Sequence, residues 1–193
     1  MIQPFLLDLP DEFETDRLHI RCVKPGDGAK VYEALRESID SLRQFPASLP
    51  WALEEPSLEA SEIYCREGFA KFIARRDFRF LVLLRGSDTL VGCCGLHRPN
   101  WKVPTIEVGW WGRTAYLGSG YVSEAVTGLI KFAFAQLPVH RVAAFVDDLN
   151  EKSARVCERA GMTFEGLLRN ERVDPDGTLR HTRVYATIRE RVA

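Results

Sequence analysis

The sequence predicts one α/β (α+β) domain, with a mixed central sheet of about seven strands and helices on both faces. Its 193 residues, 46% hydrophobic and 27% charged, are typical of a single domain with a substantial core. Strand-like runs alternate with segments of helical spacing along the chain. No internal repeat or change of composition marks a second domain. We therefore expect residues 1–193 to form one domain, with its core at about 15–190.

The first part of the chain predicts a strand and two helices. Residues 18–23, "LHIRCV", alternate apolar and polar like a half-buried strand, and a short helix is expected from about Gly28 to Arg36. Residues 38–57 hold three prolines without regular periodicity, which indicates a surface loop or a broken helix. Ser57 is a good N-cap for a second helix. That helix has apolar residues at roughly helical intervals: Ile63, Phe69, Phe72 and Ile73.

The middle and the end of the chain predict six more strands and two more helices. "FRFLVLLRGSDTLVGCCGLH" reads as two strands around a Gly-Ser-Asp turn, and "TIEVGWW" as a third strand entered from a loop at residues 99–104. These three strands predict an antiparallel meander. An apolar helix follows, and then the strand "RVAAFV", the short helix "EKSARVCERAG" and the strands "MTFEGLL" and "TRVYATI".

Charge, cysteines and the first residues exclude several classes of protein. The net charge of −1 and the pI of about 6.4 give no basic field that would attract nucleic acid or an anionic membrane. The five cysteines form no CxxC pair and lie in predicted strands or helices, which indicates reduced, buried thiols. "MIQPFLLDLPDEFETDR" lacks the basic start and apolar run of a signal peptide. A cytoplasmic protein is expected.

The stretch "YLGSGYVSEAV" places two glycines around Ser119, directly before an apolar helical stripe. Unpaired N–H groups and the dipole at a helix start bind anions such as pyrophosphate, but a tight turn would use the same glycines. A Rossmann motif requires glycine where Ser123 stands, and a P-loop requires Lys-Ser/Thr where Tyr121 and Val122 stand. Both motifs are disfavoured, and a domain that binds ATP or NAD through this turn is a rival interpretation.

Three stretches together resemble the GNAT acyl-CoA N-acyltransferases, and most closely their ribosomal-protein N-terminal acetyltransferase branch (RimJ/RimL-like). They are "IEVGWW", "YLGSGYVSEAV" and "HRVAAFVDDLNEKSARVCERAGMTFEGLLR", and the resemblance covers nearly the whole chain. The spacing Asn150-x-x-Ser153, followed by the glycines at 161 and 166, is its most specific part. The resemblance implies a sheet that opens in a V-shaped splay, acetyl-CoA as co-substrate and no metal.

The resemblance also implies which residues hold coenzyme A. Backbone groups near Trp110 and Trp111 would hold the pantetheine arm, which Asn150 would also contact besides capping its helix. Ser153 would lie near the thioester sulfur and assist the leaving thiolate. Cys157 stands where many relatives have a tyrosine acid, and it reads as a packed thiol. The pyrophosphate would meet N–H groups of Leu117, Gly118, Ser119, Gly120 and Tyr121.

The phosphate cradle is expected to depend mostly on backbone groups, because the polar residues of the family pattern are replaced by Ala115 and Leu117. Arg113 would be an outside helper or merely a surface charge. On the acceptor side, Glu107 is the one carboxylate within "TIEVGWW". It would take a proton from the amine, directly or through water, or it would only pair with an arginine.

Two tryptophans in loops, Trp51 in "QFPASLPW" and Trp101 in "RPNWKVP", would shape the acceptor pocket or merely pack. The histidines lack metal-ligand spacing, so no catalytic metal is expected. The resemblance implies an N-acetyltransferase that works by direct attack of a primary amine in a ternary complex. A protein N-terminal amine, such as that of a ribosomal protein, is the favoured acceptor. A small-molecule amine (an amino acid, polyamine or antibiotic) and a non-catalytic coenzyme A-binding module are the alternatives. A monomer or homodimer is expected, without nucleic acid or membrane partners.

Overall fold

Eight strands form one mixed sheet in the computed structural model, which describes residues 3–189. Their order across the sheet is β1-β2-β3-β4-β5-β6-β8-β7. The sequence predicted about seven strands, and the additional one is β1, whose three residues are too few to show periodicity. The strands are β1 (Glu12–Glu14), β2 (Leu18–Cys22), β3 (Phe78–Leu84), β4 (Leu90–Asn100), β5 (Thr105–Gly112), β6 (Arg141–Asp147), β7 (Thr163–Val173) and β8 (Leu179–Ile188).

Four α-helices cover the two faces of the sheet: α1 (Gly28–Leu42), α2 (Leu58–Ile73), α3 (Tyr121–Gln136) and α4 (Glu151–Arg159). Successive residues of β3 point to opposite faces. Phe80 therefore joins the main core, which includes the buried stripe of α3 and Cys157 of α4, while Leu81 joins a smaller cluster with residues of α1 and α2. The mixed sheet with helices on both faces is confirmed.

One pair of neighbouring strands is parallel, and it pairs over a short stretch only. β5 and β6 pair at residues 105–107 and 141–143, whereas β5 continues to Gly112 and β6 to Asp147. All other neighbouring strands are antiparallel, including the predicted meander β3-β4-β5. Beyond Glu107 and Ala143 the two parallel strands separate, which is the V-shaped splay expected from the resemblance.

Two element boundaries differ from the prediction. Helix α1 continues to Leu42 instead of ending near Arg36, because buried Ser38 and Leu42 extend its packed face. Strand β4 continues to Asn100, within the predicted loop. The side chain of Asn100 closes the following turn, because it accepts hydrogen bonds from the N–H groups of Lys102 and Val103, at 3.0 and 3.1 Å. The proline-rich segment after α1 is irregular apart from a 3₁₀ turn at Pro50–Leu53.

Candidate active site

The backbone N–H and carbonyl of Trp110 face the gap between β5 and β6, where the two strands separate. The N–H of Arg113 donates to the carbonyl of Val91 on β4, at 2.9 Å. In an antiparallel pair the bonding direction alternates, so Trp111 also directs its N–H to β4, whereas Trp110 directs its N–H and carbonyl toward β6. β6 is no longer paired at this level. Of the two tryptophans expected to hold the pantetheine arm, Trp110 therefore supplies the free backbone groups.

Six consecutive N–H groups, of residues 118–123, have no hydrogen-bond acceptor within residues 3–189. They lie at the start of α3, where the first helical bond is donated by Glu124 to the carbonyl of Gly120, at 3.0 Å. Gly118 and Gly120 have φ angles of 83° and 81°, a left-handed conformation that favours glycine. A run of free N–H groups at the positive end of a helix dipole suits a phosphate or pyrophosphate.

Two neighbouring residues contribute less to this cradle than expected. The N–H of Leu117 donates to the carbonyl of Thr114 in a 3₁₀ turn, at 3.2 Å, so it does not face outward with the others. The guanidinium of Arg113 pairs with Glu37 of α1, with an Nε to Oε2 distance of 2.7 Å. Arg113 therefore connects β5 to α1 and is not a free cation beside the glycines.

Arg17, which the sequence reasoning did not identify, fixes the glycine turn and, like Arg113, is paired with a carboxylate. Its guanidinium donates to the carbonyl of Ser119 at 3.1 Å and to Glu124 at 2.6 Å, and it lies 4.6 Å from the ring centroid of Tyr121. Burial would raise the pKa of Glu124, but hydrogen bonds from Thr15 and Arg17 lower it. Arg17 is about a hundred residues away in sequence, so only the fold brings it to the turn.

The start of α4 presents Asn150 and Ser153 at the end of β6. Asn150 caps the helix, since its Oδ1 accepts from the N–H of Ser153 at 3.0 Å. The Ser153 hydroxyl is half-buried and has no hydrogen-bond partner within the described residues. Because helices α3 and α4 follow the carboxyl ends of the two parallel strands, both helix starts lie at the open end of the splay.

Cys157 is completely buried in the main core, as are the four other cysteines in their own sites, and no disulfide joins them. Burial raises the pKa of the Cys157 thiol to about 12. A thiol with such a pKa is a poor nucleophile and a poor donor at neutral pH. The packed, structural interpretation of Cys157 is confirmed.

The acceptor-side loop after α1 holds Trp51 beside β5. The rings of Trp51 and Trp111 have centroids 6.5 Å apart, and the Trp51 side chain is 44% exposed. The loop is fixed to the β7–β8 hairpin, because the N–H of Ala47 donates to Asp174 at 3.0 Å and Arg172 donates to Ser48 at 2.9 Å. Trp51 and Trp111 therefore form an aromatic pair on the face of the sheet that α1 and α2 cover.

Trp101 and Glu107 lie nearer to the closed end of the splay. Trp101 is in the β4–β5 turn and packs against the main core, so the structure does not bring it together with Trp51. Glu107 lies where β5 and β6 still pair, and its Oε2 accepts a hydrogen bond from Nη1 of Arg98, at 2.5 Å. The Glu107 carboxylate, one of whose expected roles was that of a base, is thus in an ion pair with Arg98.

Comparisons with known proteins identify the family. A model of the acetyltransferase (GNAT) domain matches residues 17–163. The chain belongs to the GNAT acetyltransferase family. YoaA, an uncharacterized N-acetyltransferase of Bacillus subtilis, is 26% identical over 179 residues, which are 92% of this chain and 97% of YoaA. GNAT membership makes the protein an acetyltransferase, as predicted.

Two solved structures share the GNAT fold of this chain. The ribosomal L7/L12 alpha-N-protein acetyltransferase RimL, in complex with coenzyme A, has a TM-score of 0.80 at 16% identity, covering 93% of this chain and 97% of RimL. The ribosomal-protein-S5-alanine acetyltransferase of Vibrio fischeri has a TM-score of 0.75 at 20% identity, and the match covers 92% of this chain and 96% of that protein. In residues 3–189, no helix is long and apolar enough to cross a membrane, and no three His, Cys, Asp or Glu side chains are grouped to hold a metal ion.

Proposed function

We propose that this GNAT enzyme transfers the acetyl group of acetyl-CoA directly to a primary amine, with both substrates bound at once. The observation that carries the proposal is the combination of six free N–H groups at the start of α3 with unpaired backbone groups at Trp110. The first suits the pyrophosphate of coenzyme A, and the second suits its pantetheine amides. Gly118 and Gly120 keep side chains away from this backbone, and Arg17 fixes the turn by donating a hydrogen bond to the carbonyl of Ser119.

Each residue of the site has a role in the transfer. The N–H of Trp110 donates to the thioester oxygen as negative charge develops on it, which is the electrostatic role of an oxyanion hole. The amide of Asn150 is free on its nitrogen side to donate to a pantetheine carbonyl. The Ser153 hydroxyl donates a hydrogen bond to the departing thiolate, directly or through water. The amine enters from the side of Trp51 and attacks the thioester carbon.

The favoured acceptor is a protein N-terminal amine, such as that of a ribosomal protein. The fold likeness to two acetyltransferases of ribosomal proteins supports this proposal. The exposed ring of Trp51, packed beside the partly buried Trp111, supports it as well, because an exposed aromatic side chain can contact a peptide. Amino acids, polyamines and antibiotic amines are the alternative acceptors.

Two measurements test the proposed function. Isothermal titration of the folded protein should show coenzyme A binding that ATP and NAD do not displace. Release of thiol from acetyl-CoA should then depend on the acceptor, with peptides that have a free N-terminus reacting faster than the same peptides blocked at that end. Binding without turnover on any amine would indicate a non-catalytic module. Displacement by ATP or NAD would instead support the nucleotide-binding rival.

A further inference from the structure

His97 and Asp77 form a pair on the acceptor face of the sheet. His97 lies on β4 directly opposite Glu107 of β5, on the same face as Trp111. Its Nδ1 is 2.9 Å from Oδ2 of Asp77, in the turn before β3. The other carboxylate oxygen of Asp77 accepts from Nε of Arg79, at 3.1 Å. The imidazole is thus held at one nitrogen by a carboxylate that is itself held in place.

The hydrogen bonds of Asp77 determine the tautomer of the neutral imidazole. Burial by itself would raise the pKa of Asp77, but the hydrogen bond from His97 and the positive charge of Arg79 lower it. An ionised carboxylate can only accept hydrogen bonds, so Nδ1 carries the proton. Nε2 then keeps its lone pair, and it has no hydrogen-bond partner among residues 3–189.

Two glycines allow the imidazole to lie flat against the strands. A Cβ atom at Gly95 would lie 2.7 Å from Nε2 of His97, and one at Gly109 would lie 3.2 Å from it. A side chain at Gly95 would therefore displace the ring, and one at Gly109 would press against it. Gly109 directly precedes Trp110, whose N–H opens into the splay, so Nε2 lies beside the place proposed for the thioester.

We propose that Nε2 of His97 is the general base that removes a proton from the acceptor ammonium, with Asp77 as its positioning residue. This inference rests on the proposed acetyl transfer. The ammonium gives one proton to Nε2, and the neutral nitrogen attacks the thioester carbon. The C–N bond forms and the C–S bond breaks, while the second proton of the nitrogen passes to the thiolate through Ser153 or water. The imidazolium then returns its proton to solvent.

The other charged groups near His97 are already paired. Glu107 opposite it is bound by Arg98, which follows His97 on β4. From β3, Arg79 pairs with Asp77 and lies 4.6 Å from the ring centroid of Tyr64, whose hydroxyl has a raised pKa because it is buried. Along β6, Arg141 pairs with Glu165 of β7. Within residues 3–189, the imidazole of His97 thus keeps an unbonded Nε2 beside Gly109, whereas these charged groups are held in ion pairs.

The test is the pH dependence of kcat/KM for wild type and His97→Gln, with a peptide whose only amine is its N-terminus. His97→Gln should lower kcat/KM by about 100-fold or more. The acidic limb of the profile should also move up toward the pKa of the free amine, about 7.7–8.0, because only the neutral amine then reacts. Coenzyme A affinity should stay unchanged. His140→Gln is the matched control, because His140 is exposed at the start of β6 and should leave the profile unchanged.

Two further variants distinguish proton transfer from a structural role. Asp77→Asn should lower kcat/KM and leave coenzyme A affinity unchanged, because an amide can itself donate to Nδ1 and no longer holds the tautomer in which Nε2 keeps its lone pair. His97→Gly should regain part of its activity when free imidazole is added. If His97→Gln kept the wild-type kcat/KM and the acidic limb of its pH profile stayed in place, the inference would be overturned, while the proposed acetyl transfer would still hold. A wild-type protein without transfer activity would instead contradict the proposed function itself.

Discussion

The proposed coenzyme side and the proposed acceptor side of the splay are built in different ways. The coenzyme side uses backbone groups of residues 110–123 and the start of α4, so two short stretches of sequence contain most of it. The proposed acceptor side depends on side chains from separate segments: Trp51 packs beside Trp111 of β5, and Asp77 before β3 is hydrogen-bonded to His97 of β4. Substitutions that alter backbone conformation should therefore lower coenzyme A affinity, whereas loss of a single side chain on either side should change turnover or the acceptor KM and leave that affinity nearly unchanged.

The largest effect in this comparison is expected from Ser153→Ala, which removes a side chain on the coenzyme side. We expect kcat to fall by about 100-fold, because the thiolate loses its proposed hydrogen-bond donor. Coenzyme A affinity should hardly change, since the backbone N–H of Ser153, and not its hydroxyl, donates the hydrogen bond to Oδ1 of Asn150. Steady-state kinetics and isothermal titration measure the two quantities. Equal losses in both would make Ser153 a binding residue.

The same contrast explains what could be predicted from the sequence. The glycine turn, the Asn150 cap and the apolar stripe of α3 depend on local backbone geometry, and the sequence showed them directly. Arg17 and the His97 and Asp77 pair were missed, because Arg17 lies 102 residues from Ser119 and Asp77 lies 20 residues from His97, and such separations leave no local pattern. The pairing of Glu107 with Arg98 was foreseen only as an alternative, since it depends on the register of β4 and β5.

A smaller effect is expected from Gly120→Val, which tests whether the phosphate cradle is made of backbone. A left-handed conformation costs a residue with a Cβ atom about 1–2 kcal/mol, and relief of that strain would turn the N–H groups away from the ligand. Coenzyme A affinity should therefore fall by about tenfold. Ser119→Val is the matched control, because Ser119 is exposed and has no positive φ. Similar losses in both variants would indicate contact with the Ser119 side chain.

On the proposed acceptor side, Trp51→Ala should raise the KM of a peptide acceptor by about fivefold, because the exposed ring of the Trp51 and Trp111 pair is lost. Coenzyme A affinity should be unchanged, since Trp51 lies on the face of α1 and α2. The comparison variant is Trp101→Ala, in the turn at the closed end of the splay. A higher acceptor KM for Trp101→Ala alone would place the acceptor site at that turn.

The smallest effect is expected from Glu107→Gln. Arg98 already binds the Glu107 carboxylate, so the amide should lower kcat/KM by less than about threefold and leave the acidic limb of the pH profile in place. The pH profile shows which of two neighbouring residues removes the proton, because His97 of β4 and Glu107 of β5 lie directly opposite each other. If Glu107→Gln shifted the acidic limb of the kcat/KM profile and His97→Gln did not, proton removal would be assigned to the glutamate. Arg98→Gln would then be expected to raise activity by freeing that carboxylate.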